Sequence, residues 1–79
     1  MAKVTVYTKH NCIKCDMTKK VLSEEGIEFE AINVEEDADA HEEMKKVADE
    51  HNFMSMPVIV ADGVEPFNDF KPDKLKGLK

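Results

Sequence analysis

Seventy-nine residues, 42% of them apolar and 35% charged, suffice for one small folded domain spanning 1–79 and exclude a disordered chain. No run approaches the ~18 apolar residues of a membrane span. The net charge is −6 and all eleven basic residues are lysines, which argues against nucleic acid as a partner because phosphate-gripping guanidinium forks are missing.

The N-terminal stretch Met1-Ala2-Lys3-Val4-Thr5-Val6-Tyr7 lacks the apolar run and small-residue cleavage site of a signal peptide, so a cytoplasmic location is expected. Val4-Thr5-Val6-Tyr7 alternates β-branched and aromatic residues and predicts a first strand. Thr8-Lys9-His10-Asn11 is turn-like, with Asn11 as the expected helix N-cap. Ile13, Met17, Val21 and Leu22 then mark the apolar stripe of a helix from about Cys12 to Glu25, closed by Gly26.

Ile27-Glu28-Phe29-Glu30-Ala31-Ile32 alternates with period two and predicts a second strand ending near Val34. Asp39 and Glu42 have the spacing of a capping box, and Ala40, Met44, Val47, Ala48 and His51 trace one face of a second helix. Its acidic outer face reads as a solvated surface. Met56-Pro57 leads into the continuously apolar Val58-Ile59-Val60, a third and central strand. Asp62-Gly63 signals a hairpin into a fourth strand, which Pro66 marks as short and at an edge. Pro72 near the first turn opens a last helix anchored by Leu75 and Leu78. The fold class is therefore α/β, with a parallel first strand pair, later antiparallel strands and helices packed on the sheet.

Cys12 and Cys15 are the only cysteines. A pair three residues apart closes almost no loop, so its stabilising value is small and a chemical role is expected. Residues 1–20 hold five lysines against one acid, whereas residues 21–70 hold two lysines against fifteen acids. The cysteines thus sit in a locally basic segment at a helix start, where unpaired N–H groups, Lys9, Lys14 and a protonated His10 favour a thiolate. Spacing of one turn permits exchange in two steps: Cys12, at the helix tip, attacks a substrate disulfide, and the more shielded Cys15 then attacks Cys12. Two other readings use the same residues. One is a core thiol pair. The other is a zinc or copper module with His10 and either His41 or His51 as further ligands. The soft-metal carriers of the heavy-metal-associated type have a similar length, but usually place Met where this chain has His10.

Val6-Tyr7-Thr8-Lys9 before Cys12-Ile13-Lys14-Cys15, followed by Met56-Pro57-Val58-Ile59-Val60, resembles the glutaredoxin-type members of the thioredoxin superfamily over essentially the whole chain. The resemblance implies a four-stranded mixed sheet flanked by three helices and a cis bond at Pro57. It also implies that Met56 offers its backbone to the substrate chain beside the dithiol, and that no bound cofactor is needed. Among these proteins the chain is most similar to NrdH-type redoxins, whose C-terminal signature reads approximately Trp-Ser-Gly-Phe-Arg-Pro-Asp. Here Phe67-Asn68-Asp69-Phe70-Lys71-Pro72-Asp73 keeps the Phe, Pro, Asp and basic character. That likeness implies a dithiol–disulfide oxidoreductase, expected to be monomeric, fed by thioredoxin reductase and passing electrons to protein disulfides such as that of ribonucleotide reductase. A glutathione-dependent glutaredoxin is the alternative, with Lys9 and Lys14 attracting glutathione carboxylates. Against it, the chain lacks the Gly-Gly pair and the aromatic residue of Cys-Pro-Tyr-Cys found in those proteins.

Overall fold

The computed structural model describes residues 3–78; Met1 and Ala2, which fall within the expected N-terminal stretch, and Lys79 lie outside them. The elements are β1 (Val4–Thr8), α1 (Ile13–Glu24), β2 (Glu30–Asn33), α2 (Ala38–His51), β3 (Val58–Ala61), β4 (Val64–Asn68) and α3 (Pro72–Lys76). The strands form one mixed sheet in the order β2-β1-β3-β4. β1 and β2 run parallel, while β3 is antiparallel to both β1 and β4.

Alternation along the strands divides the core between the two faces of the sheet. Val4, Val6, Ile59, Ala61 and Phe67 point to one side and are covered by Leu22 of α1, Leu75 of α3 and Leu78. Tyr7 and Val58 point to the other side, where Ala40, Met44 and Val47 of α2 meet them. Both faces being covered explains why β3 is apolar throughout. Full burial of each such aliphatic side chain contributes roughly 1.5–3 kcal/mol.

Several boundaries differ from the expectation, each for a local reason. The alternation at Ile27–Ile32 becomes strand only from Glu30, because β1 offers partners only from Thr5, opposite Glu30, to Thr8. Ile27 and Phe29 instead turn into the core beneath α1. α2 starts before the expected capping box: Asp37 is the N-cap, and its carboxylate accepts the Ala40 N–H at 3.0 Å. β4 is the expected edge strand with Pro66 inside it, yet at five residues it is as long as β1.

The stripe expected on α1 is rotated. Cys15, Thr18 and Leu22 are the buried positions, whereas Ile13 and Met17 face outward. The expected helix stop does form. Gly26, at φ +71°, lets its own N–H reach the Ser23 carbonyl and the Ile27 N–H reach that of Leu22. Gly63, at φ +75°, likewise completes the Asp62-Gly63 hairpin.

Candidate dithiol site

The site begins where β1 leaves the sheet. Asn11 adopts a left-handed conformation (φ 53°), and the helix cap falls one residue later than expected, on Cys12. Cys12 is extended, and its Sγ accepts the Cys15 N–H at 3.1 Å. The sulfur thereby takes the part that a serine or aspartate oxygen usually plays at a helix start. Cys12 and Cys15 are joined as a disulfide, with Cα atoms 5.2 Å apart. An N–H aimed at the Cys12 sulfur and the positive end of α1 beneath it are features that favour a thiolate at a helix start.

The two sulfurs are unequally placed. Cys12 is 9% exposed and lines a groove of about 410 Å³ together with Lys9, Asn11, Ile13, Lys14, Met54, Ser55 and Met56. Cys15 is 1% exposed and does not line it. Of the residues singled out from sequence, Lys9, Cys12, Lys14 and Met56 therefore meet in one groove, while Cys15 and Pro57 are buried.

The segment opposite Cys12 is fixed by β4. The Met56–Pro57 bond is cis, the Pro57 carbonyl accepts the Asp69 N–H at 2.9 Å, and the Ser55 carbonyl accepts Asn68 Nδ2 at 3.1 Å. Both carbonyls flanking Met56 are thus held by the end of β4 and the residue after it. A second, more apolar groove lined by Met44, Ala48 and Phe53 shares Met54, Ser55 and Met56 with the first.

The basic residues do not act as one block. Lys14 Nζ lies 2.9 Å from Asp69 Oδ1, so most of its charge is directed to that carboxylate. The bond from Lys14 and the N–H of Phe70, assisted by nearby Lys71, hold the Asp69 carboxyl below its ordinary range. His10 turns away from the sulfurs. Its Nδ1 lies 3.1 Å from Glu35 and its Nε2 3.2 Å from Glu36, and its backbone N–H donates to Glu35. Among the described residues Lys9, exposed in the groove, is left as the cation facing Cys12 without an acidic partner.

The metal constellation does not assemble: both ring nitrogens of His10 face carboxylates, and His51 stacks on Phe53 at 5.2 Å. Among the described residues no group of three or more His, Cys, Asp or Glu side chains is placed to hold a metal ion.

Sequence reasoning missed Met54, which is 95% exposed at the rim of the groove. An apolar residue between Asn52 and Ser55, outside any helix or strand pattern, was the available signal. It also missed the Lys14–Asp69 pair, which joins residues 55 positions apart and leaves no trace in local spacing.

Comparison with known proteins agrees with this geometry. Residues 4–65 match the glutaredoxin family model. The chain is 44% identical over 75 residues to the glutaredoxin-like protein NrdH of Lactococcus lactis, covering 95% of this chain and 97% of that one. It is 39% identical over 77 residues to the gene 56 protein of Mycobacterium phage L5, covering 98% of this chain and 72% of that one. Among solved structures, the glutaredoxin-like NrdH-redoxin of Escherichia coli superimposes with a TM-score of 0.83 at 30% identity, covering 98% of this chain and 95% of that one. The chain belongs to the glutaredoxin family, on its NrdH-like side, and with its Cys12–Cys15 pair it is a thiol–disulfide oxidoreductase. No helix among the described residues is long and apolar enough to cross a membrane.

Proposed function

We propose that this redoxin works in the cytoplasm as one domain over residues 1–79 and reduces protein disulfides, with Cys12 as nucleophile and Cys15 as resolving thiol. The observation that supports the assignment of roles is the inequality of the pair: Cys12 lines the groove and Cys15 is buried outside its lining. The Cys12 thiolate attacks one sulfur of a substrate disulfide, forming a mixed disulfide and expelling the other sulfur, which takes a proton from solvent. Cys15 then loses its proton and attacks Cys12 Sγ. This closes the Cys12–Cys15 disulfide and releases the second substrate sulfur. The substrate gains two electrons and the redoxin gives up two. Met56, positioned by its cis bond to Pro57, presents its backbone to the substrate chain, and Lys9 attracts its acidic groups while Lys14 is held by Asp69.

The electron source is thioredoxin reductase rather than glutathione. Glutathione-using glutaredoxins commonly carry an Asp after the fourth strand to hold the γ-glutamyl end, and the Asp69 found there in this chain has its carboxylate engaged by Lys14 and by the N–H of Phe70. The E. coli relative is described by its thioredoxin-like activity profile, which favours the same assignment. Ribonucleotide reductase is the protein substrate this reading places first.

The test follows NADPH oxidation with a small disulfide and this protein in two arms, one with thioredoxin reductase and one with glutathione plus glutathione reductase. Turnover in the first arm alone is expected. Turnover in the glutathione arm alone overturns the assignment of reductant and makes the protein a glutathione-dependent glutaredoxin.

A further inference from the structure

Thr18 lies three residues after Cys15 on the buried stripe of α1, between Cys15 and Leu22. Helical side chains lean toward the N-terminus and cover the turn before them, so Thr18 covers the turn that carries Cys15. It is 0% exposed, and its Oγ1 is buried without a hydrogen-bond partner among the described residues. A buried helical threonine can satisfy its hydroxyl by donating to a carbonyl one turn back, but here that bond is not made. A buried hydroxyl without a partner is disfavoured, and the structure that contains it is the disulfide form.

We propose that Thr18 is a positioning residue that donates its hydroxyl to the Cys15 sulfur when the pair is reduced, and so shifts the redox equilibrium toward the dithiol. The inference rests on the reading of Cys12 and Cys15 as an exchanging pair. Reduction breaks the S–S bond and places two electrons on the two sulfurs, with protons drawn from solvent. It turns the Cys15 sulfur from a weakly accepting disulfide atom into a thiol, and into a thiolate during the resolving step. The thiolate is a charge-bearing acceptor for an O–H one turn away. The hydroxyl is thus orphaned in the oxidised form and partnered in the reduced form. That difference, rather than any contact in the oxidised form, is what acts on the equilibrium.

Wild-type protein, Thr18→Val and Thr18→Ser are each equilibrated with mixtures of reduced and oxidised dithiothreitol, and the dithiol fraction is read by alkylation and mass spectrometry. Thr18→Val, which keeps the shape and removes the donor, is expected to shift the exchange constant about tenfold toward the disulfide, or about 30 mV for a two-electron couple. Thr18→Ser is expected to keep the wild-type constant. An unchanged constant in Thr18→Val, a shift toward the dithiol, or equal shifts in both variants overturns the inference. Wild-type protein that exchanges no electrons with dithiothreitol overturns the dithiol reading itself. A check without substitution uses proton NMR of the reduced wild type. There the Thr18 hydroxyl proton is expected to exchange slowly with solvent and to lie near the Cys15 β-protons. Fast exchange in the reduced form overturns the inference even if Thr18→Val fails to fold.

Discussion

Lys14 and Asp69 form a 2.9 Å ion pair that ties the first turn of α1 to the residue following β4. The pair lies beside Cys12, and Asp69 also donates its backbone N–H to the carbonyl of Pro57, so one residue contacts both the charged side and the proline side of the groove. Asp69 adopts a left-handed conformation (φ 66°), which asparagine also tolerates. Asp69→Asn should therefore keep the turn and free the Lys14 charge. In the reduced variant, alkylation of Cys12 by anionic iodoacetate should accelerate about two- to fivefold relative to neutral iodoacetamide, and the gain should vanish in high salt. Equal acceleration by both reagents would show that the loop had moved instead.

The same pair has a defined pH signature. The folded-state pKa of Asp69 is lowered, chiefly by its bond from Lys14. Its contribution to stability is therefore complete above the pKa of an unfolded aspartate and is lost as pH falls through the lowered folded value. The stability difference between wild type and Asp69→Asn, measured by urea denaturation, should stay constant through neutral pH and shrink only in acid below the ordinary carboxyl range.

Tyr7 gives the opposite sign. Burial in the α2-side core, with the Glu43 carboxylate 3.3 Å from its hydroxyl and Glu30 nearby, raises its pKa above the ordinary 10.0. The neutral phenol is favoured in the folded state, so its contribution is full below the unfolded tyrosine's pKa and fades as pH rises through the raised folded value. Because Tyr7 is the only tyrosine and there is no tryptophan, phenolate absorbance reports it directly. Its midpoint in the folded protein should exceed that of a free tyrosine peptide, and unfolding should abolish the difference.

Two residues of α1 separate stability from recognition. Leu22 is fully buried between the sheet and α3, and Leu22→Ala should lower the unfolding free energy by about 2–5 kcal/mol. Ile13 is 75% exposed beside Cys12, so Ile13→Ser should change stability by no more than about 0.5 kcal/mol. Ile13→Ser should nevertheless slow the reduction of protein disulfides more than that of small ones, because it removes apolar surface at the groove. Urea denaturation and paired turnover assays check both halves.

These positions also show what the sequence could and could not reveal. The sheet and its helices were legible because period-two runs, the Asp62-Gly63 turn and the Gly26 stop are local signals. The reactive pair was legible because Cys12 and Cys15 sit at a strand-to-helix junction. The buried side of α1 was not: Ile13 and Met17 continue the apolar period, and only packing against the sheet shows that Cys15, Thr18 and Leu22 turn inward. The cap was misplaced because Asn11 is an ordinary capping residue, and a sulfur in that role has no compositional cue. The direction of the charges was also hidden. His10 and Lys14 look like neighbours of the cysteines, yet their partners, Glu35, Glu36 and Asp69, come from distant parts of the chain.

The division of labour between Cys12 and Cys15 is tested most directly by trapping. Reduced Cys15→Ser protein is mixed with an excess of a peptide disulfide, and the product is mapped by mass spectrometry. A stable mixed disulfide at Cys12 is predicted, together with loss of disulfide reduction by the Cys12→Ser protein. Full turnover by Cys12→Ser, with the peptide attached through Cys15, would contradict the account.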